Sequence, residues 1–147
     1  MKLKGLERAI LRAEIAQSDL KNEIHIAQIE EMQQAVVVAM SLAPTEEMVD
    51  AIEKEMLANA RRAGGGGGAK GVIWRTGQPI ADSIGITKTD DMTVTGGVTG
   101  AGQMAVEIEF GNRWINEYSY WRRPVWEAWY RLRGRMRDIL RKVLNVG

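Results

Sequence analysis

The chain has 147 residues, a net charge of +1, 45% hydrophobic and 27% charged residues, and no cysteine. One core that buries about two-thirds of the unfolded surface is possible at this length, and the composition is that of a soluble protein. A disulfide framework, a thiolate nucleophile and any cysteine-based metal site are excluded, and the lack of cysteine fits a reducing compartment.

The first residues do not read as a signal peptide: Lys2 and Lys4 are followed by Glu7, Arg8 and Arg12 instead of an apolar stretch. Residues 3–43 have the period of a helix. Leu6, Ile10, Ala13, Leu20, Ile24 and Ala27 recur at three-four spacing, broken once by the polar Gln17. Ser18 or Asp19 could cap a new helix at that break, so the segment is either one kinked helix or two. The longest apolar run, "AVVVAMSLA" at 35–43, falls short of the roughly 20 residues a bilayer requires and reads as buried helix. Pro44 ends the segment.

A second helix is predicted over about 46–62. Thr45 is its N-cap, Glu46 and Glu47 sit in the first turn, and Met48, Ile52, Met56 (or Leu57) and Ala60 form a stripe. Arg61 and Arg62 occupy the last turn, with Gly64 as a left-handed cap. The run "GGGGG" at 64–68 reads as a linker. The period then shortens to two. "GVIWRT" (71–76), "DSIGITKT" (82–89), "MTVTGGV" (92–98) and "QMAVEIEF" (103–110) are expected strands, the middle two joined as a hairpin at Asp90-Asp91. Pro124 suits the first turn of a last helix. There Val125, Trp129, Leu132, Met136, Ile139 and Val143 form a stripe, while Arg131, Arg133, Arg135, Arg137, Arg141 and Lys142 spread over the other faces.

The resulting expectation is an α+β chain. It has N-terminal helices, a small, mostly antiparallel sheet, and a long amphipathic C-terminal helix packed on the sheet. Residues 1–63 form a helical region and 64–147 an α+β region, together one compact domain. Charge is divided along the chain. Residues 122–147 carry eight Lys/Arg against Glu127 and Asp138, while residues 1–121 carry 12 basic and 17 acidic residues. Such polarity suggests a contact between unlike faces.

The sequence gives little support to an enzyme. If 103–110 is a strand, Met104, Val106, Ile108 and Phe110 share one face and Ala105, Glu107 and Glu109 the other. Two carboxylates on one face work as acid and base only if burial or a neighbour separates their pKa values, and the alternation favours a solvated or interface side. "GGGGGAKG" lacks the final Gly and the Ser/Thr of a phosphate loop, and follows a helix where that loop follows a strand. "GAGQMA" at 100–105 is expected to lead into a strand, where the dinucleotide motif requires a helix. His25 is the only histidine, so no His-dependent triad or His-pair metal site forms within one chain.

The segment 114–131, "WINEYSYWRRPVWEAWYR", holds four of the five tryptophans and all three tyrosines. These side chains either fill a small core or face outward. If outward, Trp, Tyr and Arg suit a protein interface, and basic residues with aromatics also suit nucleic acid or a membrane surface.

Taken in order, "MKLKGLERAI", "LANARRA", "RTGQPIADSIGI", "VEIEFGN" and "RRPVWEAWYRLRGRMRDILRKVL" resemble the tail-completion or neck (head–tail joining) proteins of long-tailed bacteriophages. Thr76-Gly77, Ser83-Ile84, Glu109-Phe110-Gly111 and Pro124 hold the matching places. Pro79-Ile80, the glycine run and the amount of helix in 18–63 depart from the family pattern. The resemblance implies a structural virion protein with no catalytic residue and no cofactor. It would form a ring of six or twelve copies in the neck, between portal or adaptor (head-completion) proteins and tail terminator or tail tube proteins. DNA would pass through the channel, no membrane would be involved, and assembly would take place in the host bacterial cytoplasm. Candidate inter-subunit or channel contacts are Glu107, Glu109, Trp114, Trp121, Arg122, Arg123, Trp126, Arg131, Arg133, Arg135 and Arg137, the glutamates pairing with arginines of a neighbouring subunit. A nucleic-acid-binding protein using the cationic last helix is the alternative.

Overall fold

Gln17 does not break the first helical segment. In the computed structural model, which describes residues 2–63, 79–90 and 92–145, helix α1 runs unbroken from Lys2 to Leu42. Ser18 and Asp19 lie inside it, so the segment is one helix and not two. At 1.5 Å per residue its 41 residues span roughly 60 Å. Ile24, Ala27, Ala35 and Ala39 are buried, whereas the described side chains from Lys4 to Asp19 are all exposed. In the apolar run, Ala35, Ala39 and Ala43 turn inward and Val37 and Met40 outward.

Helix α2 spans Glu46–Arg62, with the Thr45 hydroxyl accepting from the Met48 N–H at 3.2 Å. Its buried stripe is Val49, Met56 and Ala60, with Ile52 partly buried beside it and Met48 exposed. The expected cap at Gly64, the glycine run, the strand at 71–76 and the turn residue Asp91 lie outside the described residues.

A single 3₁₀ turn, Ala81–Ser83, leads into strand β1 (Ile84–Asp90), which pairs antiparallel with β2 (Thr93–Val98). The pairing slips between Ile86 and Lys88, leaving Thr87 as a one-residue bulge. The hairpin packs against α1, and Gln28 donates to the Met92 carbonyl at 3.1 Å. At Gly96 a Cβ atom would lie 2.7 Å from the Met32 sulfur and 3.0 Å from the Trp121 ring, so glycine lets β2 fit between them.

One expectation fails here. Residues 103–110 are not a strand but helix α3, Gly102–Phe110. Met104, Ala105, Ile108 and Glu109 turn inward together, the i, i+1, i+4, i+5 set of a helix, while Val106 and Phe110 are exposed. Alternating apolar and acidic residues over eight positions fit either period, and docking of Ile108 and Met104 into the core selects the helix. Helix α4 (Arg122–Asn145) packs chiefly along α1, with the hairpin beside its first turns. Glu23 meets Lys142, and Glu30 and Glu31 meet Arg135, which makes the pair antiparallel. Trp121, just before α4, reaches the sheet at Gly96, and Val125, Ala128, Trp129 and Leu132 of α4 line a cleft with Thr93 and Val94 of β2. The α+β class stands, with the sheet reduced to one hairpin among the described residues.

The core joins α1, α2, the hairpin and α3. Tyr120 is its largest fully buried side chain, donating to the Ala105 carbonyl at 2.9 Å. After α3 the chain turns at Gly111, whose φ of 72° and ψ of 176° suit glycine alone. A Cβ there would meet the Glu117 nitrogen at 2.7 Å. Gly111→Ala is expected to cost about 1–3 kcal/mol, read as a lower urea midpoint at unchanged m-value. Gly97→Ala, with open space around the position, should shift stability by less than about 0.5 kcal/mol. Equal effects at the two sites would contradict the assigned turn.

Candidate functional site

The carboxylate of Glu109 organises the aromatic-arginine segment. Gly111 turns the chain back, and Asn112 folds the next residues: its Oδ1 accepts from the Trp114 and Ile115 N–H groups at 2.8 and 3.0 Å. The Tyr118 N–H donates to the Ile108 carbonyl at 2.8 Å. This loop aims the N–H groups at the entry to α4, those of Tyr120, Trp121 and Arg122, at Glu109. Oε2 accepts from the Tyr120 and Trp121 N–H groups, both at 2.9 Å. Oε1 accepts from Arg122 N at 2.8 Å, Arg122 Nε at 3.0 Å and Ser119 Oγ at 2.9 Å. An acid from one helix thus caps the positive end of another.

Glu109 is only 4% exposed. Burial alone would raise its pKa; the donors from Trp121, Arg122 and Ser119 outweigh burial and hold it below the ordinary value. Arg122 is tied down further, by Glu117 at 2.8 Å and by the Glu109 carbonyl at 3.0 Å, and its guanidinium stacks 4.2 Å from the Phe110 ring centre. Glu117 first and Glu109 second hold the Arg122 pKa up. The Tyr120 hydroxyl is pushed up as well, by burial and then by the nearby Glu109 charge.

Several expected contact residues therefore find partners inside the chain. Glu109 pairs with Arg122 of its own chain. Arg131 Nε meets the buried Glu31 at 2.8 Å, and Arg135 meets Glu30 at 2.7 Å and Glu31 at 3.4 Å. These pairs hold α4 in register on α1. Trp114 and Trp121 pack partly buried against the core, Trp114 under the Arg113 guanidinium at 4.6 Å. Glu107 accepts from Gln103 at 3.1 Å, and Arg123 pairs with Glu127 along the helix at 3.4 Å.

The remaining candidates face outward together. On α4, Trp126 (58% exposed), Arg133 and Arg137 lie on the side away from α1. Trp129 (50% exposed), Tyr130 and Arg141 share that side and were not among the expected contacts, although their helical spacing from Trp126 and Arg137 places them there. Trp126 and Tyr130 stack with ring centres 6.2 Å apart. Trp121, Val125, Trp126 and Trp129 bound an open groove of about 380 Å³. Arg133, Arg137 and Arg141 have no ion pair among the described residues. Leu6, Ile10, Leu11 and Ile15 of α1 are exposed as well, although Leu6 and Ile10 belong to the expected apolar stripe. Among the described residues no cluster of His, Asp or Glu is disposed to hold a metal ion, and no helix is long and apolar enough to cross a membrane.

Comparison with known proteins gives one family model, described as "Bacteriophage HK97-gp10, putative tail-component", which matches residues 23–111. No curated protein and no solved structure matches the chain. The matched span begins on α1 at Glu23, opposite Lys142, and ends at Gly111. It includes Glu109 and leaves the first five turns of α1 and all of α4 outside.

Glu109→Ala is expected to destabilise the fold by about 3–5 kcal/mol, because buried donors lose their acceptor. Since the folded pKa is depressed, the carboxylate's contribution is complete above the ordinary glutamate value of 4.5 and fades as pH falls through the folded value. The gap in urea midpoint between wild type and Glu109→Gln should therefore be full at pH 7 and shrink below about pH 4.5. A gap independent of pH would show that the charge is not what matters.

Proposed function

The chain belongs to the HK97-gp10-like family of bacteriophage tail components, and from that premise we propose that it forms a ring in the phage neck that joins the head to the tail. Its place as a tail component is that of a structural virion protein; the ring, the neck and the joining role are our reading. The observation that carries it is the division of the side chains described above. One set of charges and aromatics is spent inside the fold, and a second set on α4 is left facing outward. Trp, Tyr and Arg concentrated on one helix face are the residue types of an interface that excludes water. An acidic body and a cationic helix on one chain suit head-to-tail repetition, which closes into a ring when the rotation permits.

In this reading the chain works by contact and carries out no catalysis. Its neighbours would be portal or adaptor proteins on the head side and terminator or tube proteins on the tail side. A nucleic-acid-binding role rests on the unpaired Arg133, Arg137 and Arg141, and it overlaps with the first if some of them line a channel through which DNA passes. Replacing the three with glutamine separates the two. A chain whose main task is DNA would lose affinity with a salt slope reduced by about 0.9 for each phosphate contact removed. A chain whose task is joining would leave heads and tails unattached.

Mass measurement of the purified chain, with imaging of the virion, is expected to find a cyclic oligomer, on its own or on a partner ring. A chain that stays monomeric and is missing from particles would rule the proposal out.

A further inference from the structure

We propose that the first five turns of α1 form an arm that lies in the tryptophan groove on α4 of a neighbouring copy; this rests on the ring reading above. The arm shows Leu6 at 58% and Ile10 at 50% exposure. They stand on the same three-four seam as Ile24 and Ala27, which are buried further along the same helix. The arm therefore continues a face that the fold already uses for packing, beyond the point where its own α4 ends. With Lys142 opposite Glu23, α4 reaches no further along α1 than about residue 20.

The occupant must come from another copy, because one chain cannot bring the two surfaces together. Arg131 stands opposite Glu31, so the groove around Trp129 lies level with about residue 33. Ile10 is then roughly 35 Å away along an unbroken helix. A surface at one end of the chain that fits a surface at the other makes a heterologous contact, the kind that generates rings.

Charge agrees with this placement. Glu7 and Glu14 lie two turns apart along one side of the Leu6–Ile10 seam, while Lys4, Arg8 and Arg12 project from the opposite face of the helix. Neither glutamate has an ion pair among the described residues, and neither do Arg133 and Arg137 beside the groove. Docking sets the one acidic edge of the arm against those arginines and covers Trp126 and Trp129 with leucine and isoleucine. The lengths agree as well: the arm and the stretch of α4 from Trp126 to Arg141 are each roughly 25 Å long.

The absence of cysteine makes the contact directly testable. Chains carrying Ile10→Cys and chains carrying Val125→Cys are co-expressed during tail assembly, and the particles are treated with a short bis-maleimide. A covalent dimer is expected in several-fold excess over that from either variant alone. Dimers that form with Ile10→Cys alone would show arm against arm and overturn the proposal. In parallel, Leu6→Ser/Ile10→Ser is expected to abolish the oligomer and, compared at a dilution where the wild type is also dissociated, to leave the melting temperature unchanged, since both side chains are exposed in the single chain. An oligomer that persists in this variant defeats the arm contact and leaves the ring standing, and a lowered melting temperature shows that the arm packs within its own fold. If wild-type chain is absent from particles, it is the ring reading that fails.

Discussion

The structure turns on one carboxylate buried at the start of a helix. Glu109 closes α3 and opens α4 at once, taking the N–H groups of Tyr120 and Trp121 just before α4, the first N–H of α4 at Arg122, the Ser119 hydroxyl and the Arg122 side chain onto two oxygens. The charge is retained in a buried place because so many donors converge on it. Without that acceptor, the residues that lead into α4 would lose the anchor that ties them to α3, and the Tyr118 and Tyr120 contacts with α3 would have to hold the loop alone. The register of α4 on α1, set by Glu30 and Glu31 with Arg131 and Arg135, follows from where Glu109 starts the helix.

This arrangement divides the polar residues into two groups. Glu31, Glu109, Arg122, Arg131 and Arg135 serve the fold. Arg133, Arg137 and Arg141, interleaved with the latter two on the same helix, do not. Alternate arginines thus do different work because a helix turns 100° per residue. Membership of a phage tail family gives the outward group a context in which a surface of exposed tryptophan and arginine has a use.

Much of this was legible in the sequence where the signal was local. Thr45, Glu46 and Glu47 marked the start of α2, and Pro44 the end of α1, because caps and breakers act within one turn. The hairpin from β1 to β2 could be read from alternation and turn residues. Helix α3 could not, since Met104, Val106, Ile108 and Phe110 alternate as a strand would. The competing pattern of Met104, Ala105, Ile108 and Glu109 counts only once a core is there to receive it. The capping role of Glu109 was also hidden, because its donors lie ten to thirteen residues downstream in a loop without periodicity. Composition did flag the tryptophan-arginine segment, but its division into inward and outward sets depends on the partner helix.

The continuity of α1 has a mechanical consequence. No proline or glycine interrupts it between Leu6 and Leu42, so its tip and its packed half move as one stiff rod. Any body that grips the tip fixes the tilt of the whole subunit, with no hinge to absorb a mismatch. Adding or removing a single residue near Gln17 would swing everything beyond it by about 100°, and the chain would offer its neighbours a different side.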